Sequence, residues 1–272
     1  MTTGGSKILV TGKGGSGKST VATFLARAMV RIGFRVLVVD SDESNVTLPR
    51  FLGLGPPAKT LVEYLGGRSS VAEAIFRGNR EIDWSFLEGG VGGLPDECVT
   101  RMGGLHLVVV GKITGFGEGC ACPLNALAKE FLKRIRLRDG DVVLVDTEAG
   151  IEHFGRGVEE ACDVILMVVD PTYESVLLTK RVGEMAAKAG KDLFFVLNKV
   201  SGESKKLLMR SLEGDRVLAA LSYDEEIVER CLKGEPLEEV PPEMEGVARR
   251  LAGLNPSVNG QRDRSHPFTG AS

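Results

Sequence analysis

The chain has 272 residues, 43% of them hydrophobic and 26% charged, with a formal net charge of −3. That length buries an ample core without disulfide or structural metal, and the near-neutral charge supplies no broad basic field for nucleic acid or anionic lipid. The longest apolar runs, Leu107–Val110 and Val164–Val169, fall far short of the roughly 18 residues of a membrane span.

Met1–Ser6 is polar, and the apolar stretch behind it, Ile8-Leu9-Val10, is too brief for a secretory leader. Five cysteines, an odd number, do not form a secreted disulfide framework. A cytoplasmic enzyme is expected. Short apolar, β-branched runs predict strands at Lys7–Val10, Arg35–Val39, Leu105–Val110, Asp141–Val145, Asp163–Val169, Asp192–Leu197 and Arg216–Ala219. They are continuously apolar, as in a parallel sheet covered on both faces. Helices are predicted at Lys18–Ile32, Pro123–Ile135, Tyr173–Lys188 and Asp224–Lys233; in the third, Val176, Thr179, Val182, Met185 and Ala186 share one face. This alternation implies right-handed crossovers and an α/β fold, a doubly wound, mostly parallel sheet flanked by helices. Ligands then bind beyond the carboxyl ends of the strands. Gly53–Gly104 reads as short helices and loops of the same domain. One domain is expected over residues 1–254, and the polar stretch 255–272 is expected to be a disordered tail.

Directly after the first strand comes Gly12-Lys13-Gly14-Gly15-Ser16-Gly17-Lys18-Ser19-Thr20. It satisfies the phosphate-loop pattern Gly-x-x-x-x-Gly-Lys-Ser between a strand and a helix. The glycines let backbone N–H groups turn inward around phosphate oxygens, and the helix N-terminus adds partial positive charge. Lys18 carries a charge to the β/γ-phosphates, and the Ser19 hydroxyl is a Mg²⁺ ligand. The second strand ends at Asp40-Ser41-Asp42, where a carboxylate can orient water or touch Mg²⁺. The fourth ends at Asp146-Thr147-Glu148-Ala149-Gly150. Asp146 fits a Walker-B aspartate holding Mg²⁺ through water, and Gly150 fits a switch that senses the γ-phosphate. No Asn-Lys-x-Asp guanine motif follows Asn198-Lys199, so adenine is favoured and ATP is the expected nucleotide.

The second lysine, Lys13, gives a loop that resembles the deviant loop of the MinD/ParA/nitrogenase-iron-protein class of P-loop ATPases. The resemblance implies that Lys13 reaches across a homodimer interface to the partner's nucleotide, that Asp42 positions the attacking water, and that Asn198 reads adenine.

Cys120-Ala121-Cys122-Pro123 is the other informative segment. Pro123 suits the first turn of a helix and holds Cys122 extended, so the two sulfurs can face one side at a helix N-terminus that favours thiolate. Two thiolates are half of a tetrahedral soft-metal site, which a two-fold axis would complete; two small packing residues are the other reading of the pair. Together with the deviant loop, the stretch Asp146-Thr147-Glu148-Ala149-Gly150-Ile151-Glu152-His153 with Arg156-Gly157 resembles the CooC family. These are ATPases that help insert nickel into carbon monoxide dehydrogenase. The likeness runs over residues 7–253. It implies Ni²⁺ or Zn²⁺ between the Cys120 and Cys122 pairs of two subunits, a client nickel enzyme such as carbon monoxide dehydrogenase, and no nucleic-acid or membrane partner. A regulatory or partition ATPase of the MinD/ParA type, and an iron–sulfur reductase-like ATPase, are the competing readings. Against a membrane anchor, Glu243–Leu251 is short and mixed in charge. Cys162 and Cys231 read as packing residues, Cys98 is open, and His153 reads as a hydrogen-bonded residue of the switch, with a transient metal ligand the other reading.

Overall fold

A computed structural model describes residues 5–78, 81–112, 122–148, 157–212 and 214–253. The predicted tail 255–272 lies outside the described residues, as do Cys120, Gly150, Glu152, His153 and Arg156. Eight strands follow in chain order: β1 (Ser6–Gly12), β2 (Arg35–Asp40), β3 (Thr100–Met102), β4 (Leu105–Val109), β5 (Asp141–Asp146), β6 (Val164–Val169), β7 (Asp192–Val200) and β8 (Val217–Ser222). The helices are α1 (Lys18–Arg31), α2 (Leu48–Phe51), α3 (Leu61–Tyr64), α4 (Arg68–Ala72), α5 (Cys122–Arg134), α6 (Tyr173–Ala189), α7 (Gly202–Ser211), α8 (Glu225–Lys233) and α9 (Pro242–Ala252).

The strands form one sheet in the order β3-β4-β2-β5-β1-β6-β7-β8. Every neighbouring pair is parallel except β3–β4. All seven predicted strands and all four predicted helices are present, and the doubly wound α/β fold stands. Helices α2, α7 and α9 and the edge strand β3 are not among the predicted elements. The edge strand β3, Thr-Arg-Met, has no apolar run to betray it; Gly103, at φ +58°, turns the chain from it back into the antiparallel β4. Helix α7 buries just Leu208, so its apolar periodicity is faint; the Ser201 cap, whose side chain accepts from the Ser204 N–H, starts it.

Successive residues of the central strands point to opposite faces, and both faces are covered. On one, Ile8, Val10, Val38, Leu144 and Leu166 pack against Phe24, Leu25 and Met29 of α1 and Met244, Val247 and Leu251 of α9. On the other, Leu9, Val39, Val143, Val145 and Met167 meet Leu127 and Phe131 of α5 and Val182 and Ala186 of α6. This is why the strands read as unbroken apolar runs. Phe131 is fully buried, and its truncation to Ala would cost about 3–5 kcal/mol. With parallel strands in this order, β1, β2, β5, β6 and β7 all end on one edge. The candidate chemistry gathers there.

Candidate functional site

The loop after β1 turns on three glycines with positive φ: Gly12 at +150°, Gly15 at +78° and Gly17 at +94°. A Cβ on Gly12 would lie 2.5 Å from the Val168 carbonyl oxygen, and one on Gly17 would lie 2.3 Å from Asn198 Nδ2. Neither position admits a side chain. Beyond Gly14, the Ser16 N–H donates to the Lys13 carbonyl at 3.2 Å. Helix α1 then starts at Lys18 with no side-chain cap, leaving its first-turn N–H groups for an anion. The Lys18 ammonium folds back to donate to the Lys13 carbonyl at 3.3 Å. Burial lowers its pKa, against the opposing pull of Asp146, Asp42 and Glu148.

Ser19 and Asp146 meet as their motifs predict. The Ser19 hydroxyl donates to Asp146 Oδ2 at 2.6 Å and accepts from Asn45 Nδ2 at 2.8 Å. Asp146 is fully buried, and its other oxygen, Oδ1, has no hydrogen-bond partner. Burial pushes its carboxyl up to about 7, with the Asp40 and Asp42 charges adding to the rise and the Ser19 hydrogen bond and Lys18 resisting it. A buried carboxylate with an orphaned oxygen beside a hydroxyl, next to a phosphate loop, fits Mg²⁺.

The end of β2 carries the two other aspartates. Asp42 Oδ1 accepts from the Ser44 N–H at 3.0 Å, the Ser44 hydroxyl at 2.7 Å and the Asn45 N–H at 3.1 Å, so its carboxylate orders its own loop. Asp40 is fully buried and pairs with Lys112, Nζ to Oδ2 at 2.7 Å. Its carboxyl is pushed up to about 6 by burial, held back by Lys112. Thr147 follows Asp146 and donates to the Val10 carbonyl at 3.0 Å, tying the end of β5 to β1.

Lys13 lies along the start of α6. Its Nζ is 3.2 Å from Thr172 Oγ1 and 3.6 Å from both Asp170 Oδ2 and Glu174 Oε2. Within one chain the lysine ammonium is thus held by Asp170 and Glu174, at the junction of β6 and α6.

At the end of β7, Asn198 Nδ2 donates to the Ser16 carbonyl at 2.8 Å and Lys199 Nζ to the Gly15 carbonyl at 2.7 Å. Lys199 takes a left-handed backbone, φ +57°, to do so. Asn198 also lines a cavity of about 490 Å³ beside the loop, with Gly17, Thr20, Phe24, Tyr223 and Cys231. The Thr20 hydroxyl sits 4.0 Å from Cys231 Sγ. A cavity that is part polar and part aromatic, next to a phosphate loop, suits a nucleoside.

Cys122 is the first residue of α5, exposed, and disulfide-bonded. Cys120 lies outside the described residues. Among the described residues no group of three or more His, Cys, Asp or Glu side chains is placed to hold a metal ion. Cys98 and Cys162 are buried, and burial pushes their thiols up to about 11 and about 12. The helix α9 that covers 243–251 spends its apolar face on α1 and β8, and no helix among the described residues is long and apolar enough to cross a membrane.

Sequence reasoning did not single out Asn45, Lys112, Asp170, Glu174 or Lys199 as site residues. Asp170 and Lys199 sit at the ends of β6 and β7, which were the available signal; Asn45, Lys112 and Glu174 lie beyond strand ends and belong to no contiguous pattern.

Residues 7–237 match the family described as CobQ/CobB/MinD/ParA nucleotide binding domain. An uncharacterized ATP-binding protein of Methanocaldococcus jannaschii is 44% identical over 247 residues, covering 90% of this chain and 99% of its own. The carbon monoxide dehydrogenase accessory protein CooC of Rhodospirillum rubrum is 35% identical over 200 residues, covering 72% of this chain and 74% of its own. Among solved structures, the septum site-determining protein MinD of Pyrococcus horikoshii, complexed with Mg-ADP, superimposes with a TM-score of 0.65 at 20% identity, covering 92% of this chain and 98% of that one. That likeness concerns the fold.

Proposed function

Because the chain belongs to the CobQ/CobB/MinD/ParA nucleotide-binding family, we propose that it is a Mg²⁺-dependent ATPase, acting as a homodimer, that handles nickel or zinc during maturation of a nickel enzyme of the carbon monoxide dehydrogenase type. The loop Gly12–Thr20 and the first turn of α1 bind the phosphates, with Lys18 supplying charge. Ser19, and Asp146 through water, would hold Mg²⁺, which when bound would neutralise charge on the phosphate oxygens. Asp42 orients the attacking water. Lys13 leaves Asp170 and Glu174 to place its charge at the nucleotide of the partner subunit, where donors fixed before the reaction stabilise the transferring phosphoryl group. Asn198 holds the loop through Ser16 and presents its remaining amide oxygen to the base.

The metal cargo is assigned to Cys120 and Cys122 of each subunit, four sulfurs around one ion. The observation that carries this reading is the joint occurrence of Lys13 in the phosphate loop and Cys120-Ala121-Cys122-Pro123 before α5. The 35% identity to an accessory protein of carbon monoxide dehydrogenase supports the client. Since Cys122 is disulfide-bonded, the test is made on anaerobically reduced protein loaded with Ni²⁺ or Zn²⁺. Metal analysis should give one ion per two chains, lost in Cys120→Ala and in Cys122→Ala while ATP binding survives. Unchanged metal content in both variants would contradict the reading.

A further inference from the structure

Asp42 is the residue expected to orient water; at its start the loop is tied to the sheet by the Ser41 N–H, which donates to the Asp146 carbonyl at 2.9 Å, and by the Asp42 N–H, which donates to Asp40 Oδ1 at 3.2 Å, and two side chains reach it farther along. One is Asn45, through its hydrogen bond to the Ser19 hydroxyl. Ser19 is also the hydroxyl expected on Mg²⁺, so this anchor is in competition with the cofactor. The other is Lys112.

Lys112 follows β4 by three residues and is steered from both sides. The Val110 N–H donates to the Asp40 carbonyl at 2.9 Å, and the Val62 N–H donates to the Val110 carbonyl at 2.9 Å. At Gly111 a Cβ would lie 2.7 Å from Leu124 Cδ2 and 2.9 Å from Val62 Cγ1, so a side chain there would have to push the ends of Leu124 and Val62 aside. The Lys112 ammonium then reaches Asp40 Oδ2 at 2.7 Å, the Asp42 carbonyl at 2.5 Å and the carbonyl of Asn45. A lysine ammonium has three donors and no acceptor; all three are spent on residues 40, 42 and 45. The side chain is 16% exposed and its Asp40 partner 0%, so water competes little for these bonds.

We propose that Lys112 is a positioning residue for ATP hydrolysis, the clamp that fixes the Asp42 loop against the sheet when Ser19 is taken up by Mg²⁺. The inference rests on the ATPase reading above. It differs from a plain ion pair, in which Lys112 serves to neutralise the buried Asp40 and the two carbonyl contacts are incidental. Removing the lysine alone would strand the Asp40 charge and threaten the fold, so the deciding comparison is made where that charge is gone: Asp40→Asn against Asp40→Asn with Lys112→Met.

Two readouts separate the cases. A displaced catalytic group costs on the order of a hundredfold, so kcat should fall about that much between the single and the double variant. An interaction needed only at the reacting centre leaves binding in place, so the dissociation constant for ADP should move by less than about threefold. In the nucleotide-free proteins, hydrogen exchange at the Ser44 and Asn45 amides, which donate to Asp42 Oδ1, should be about tenfold faster in the double variant. Equal kcat and equal exchange in the two variants would overturn the inference and leave Lys112 as a counter-ion. Should the wild-type chain prove unable to hydrolyse ATP, the ATPase reading falls, and the exchange comparison still decides whether Lys112 holds the loop.

Discussion

Lys13 and Asp170 of one chain stand 3.6 Å apart, nitrogen to oxygen, with Glu174 at the same distance on the other side. The lysine that defines the loop is therefore engaged within its own chain, and in the homodimer proposed above closure would have to release it. A contact made only in the open form opposes closure by its own free energy.

Glu174 is the half of that pair that can be removed cleanly, because its side chain is 75% exposed. Glu174→Gln should leave fold stability within about 0.5 kcal/mol, as for an exposed ion pair. It should also lower the protein concentration giving half-maximal ATPase activity, by about two- to fivefold. Activity measured over a dilution series checks this; an unchanged or raised midpoint would show that the contact does not oppose closure.

Asp146 and Asp40 give the nucleotide-free protein a distinctive pH dependence. Their carboxyls are raised from 3.8 to about 7 and about 6, so the folded protein keeps protons that the unfolded chain has already released. Folding takes up protons in that window, and stability falls as pH rises from about 4 to about 7. Asp146→Asn should flatten the upper part of the fall. The proposed Mg²⁺ site would need Asp146 ionised, so Mg-nucleotide affinity should rise through pH 7 with net proton release. Urea unfolding at pH 5 and 7.5, and calorimetry in buffers of different ionisation enthalpy, measure the two effects; stability that rises over the window would contradict the assignment.

Cys231 reports on the cavity beside Gly17. It lines the space together with Thr20, Asn198 and Tyr223 and is a free thiol, with a pKa raised by burial. A bound adenine nucleoside would cover it. Its alkylation, followed by peptide mass spectrometry, should slow about tenfold or more under saturating Mg-ADP, since nucleotide must leave before reagent enters. Equal rates would place the base elsewhere.

What the sequence made legible follows from how the site is encoded. Gly12–Thr20 is contiguous, and three of its four glycines take positive φ, so both the loop and the strand and helix around it could be read off directly. Ser19 and Asp146 are 127 positions apart, yet each belongs to a motif at the end of an apolar strand, and the 2.6 Å bond between them joins two predicted points. Lys112 has no such signature. Its partners at residues 40, 42 and 45 become neighbours only when β4 lies beside β2, an order the sequence does not spell out. Glu174 was hidden for the same reason: it caps no motif and matters through Lys13, reached across the sheet from β1 to the start of α6. Thr100–Met102 escaped because a three-residue edge strand, part exposed, has no pattern to show.

In the proposed homodimer each nucleotide site is completed by a second copy of the chain, and mixing two inactive variants, Lys13→Gln and Asp42→Asn, shows whether it is. Each alone should lose about a thousandfold or more in kcat, the scale of a charge supplied in trans. In a mixed dimer, one site combines the intact Asp42 of the first variant with the intact Lys13 of the second, so the mixture should recover a substantial fraction of wild-type ATPase activity. A mixture no more active than its parts, under conditions where mixed dimers are shown to form, would contradict the account.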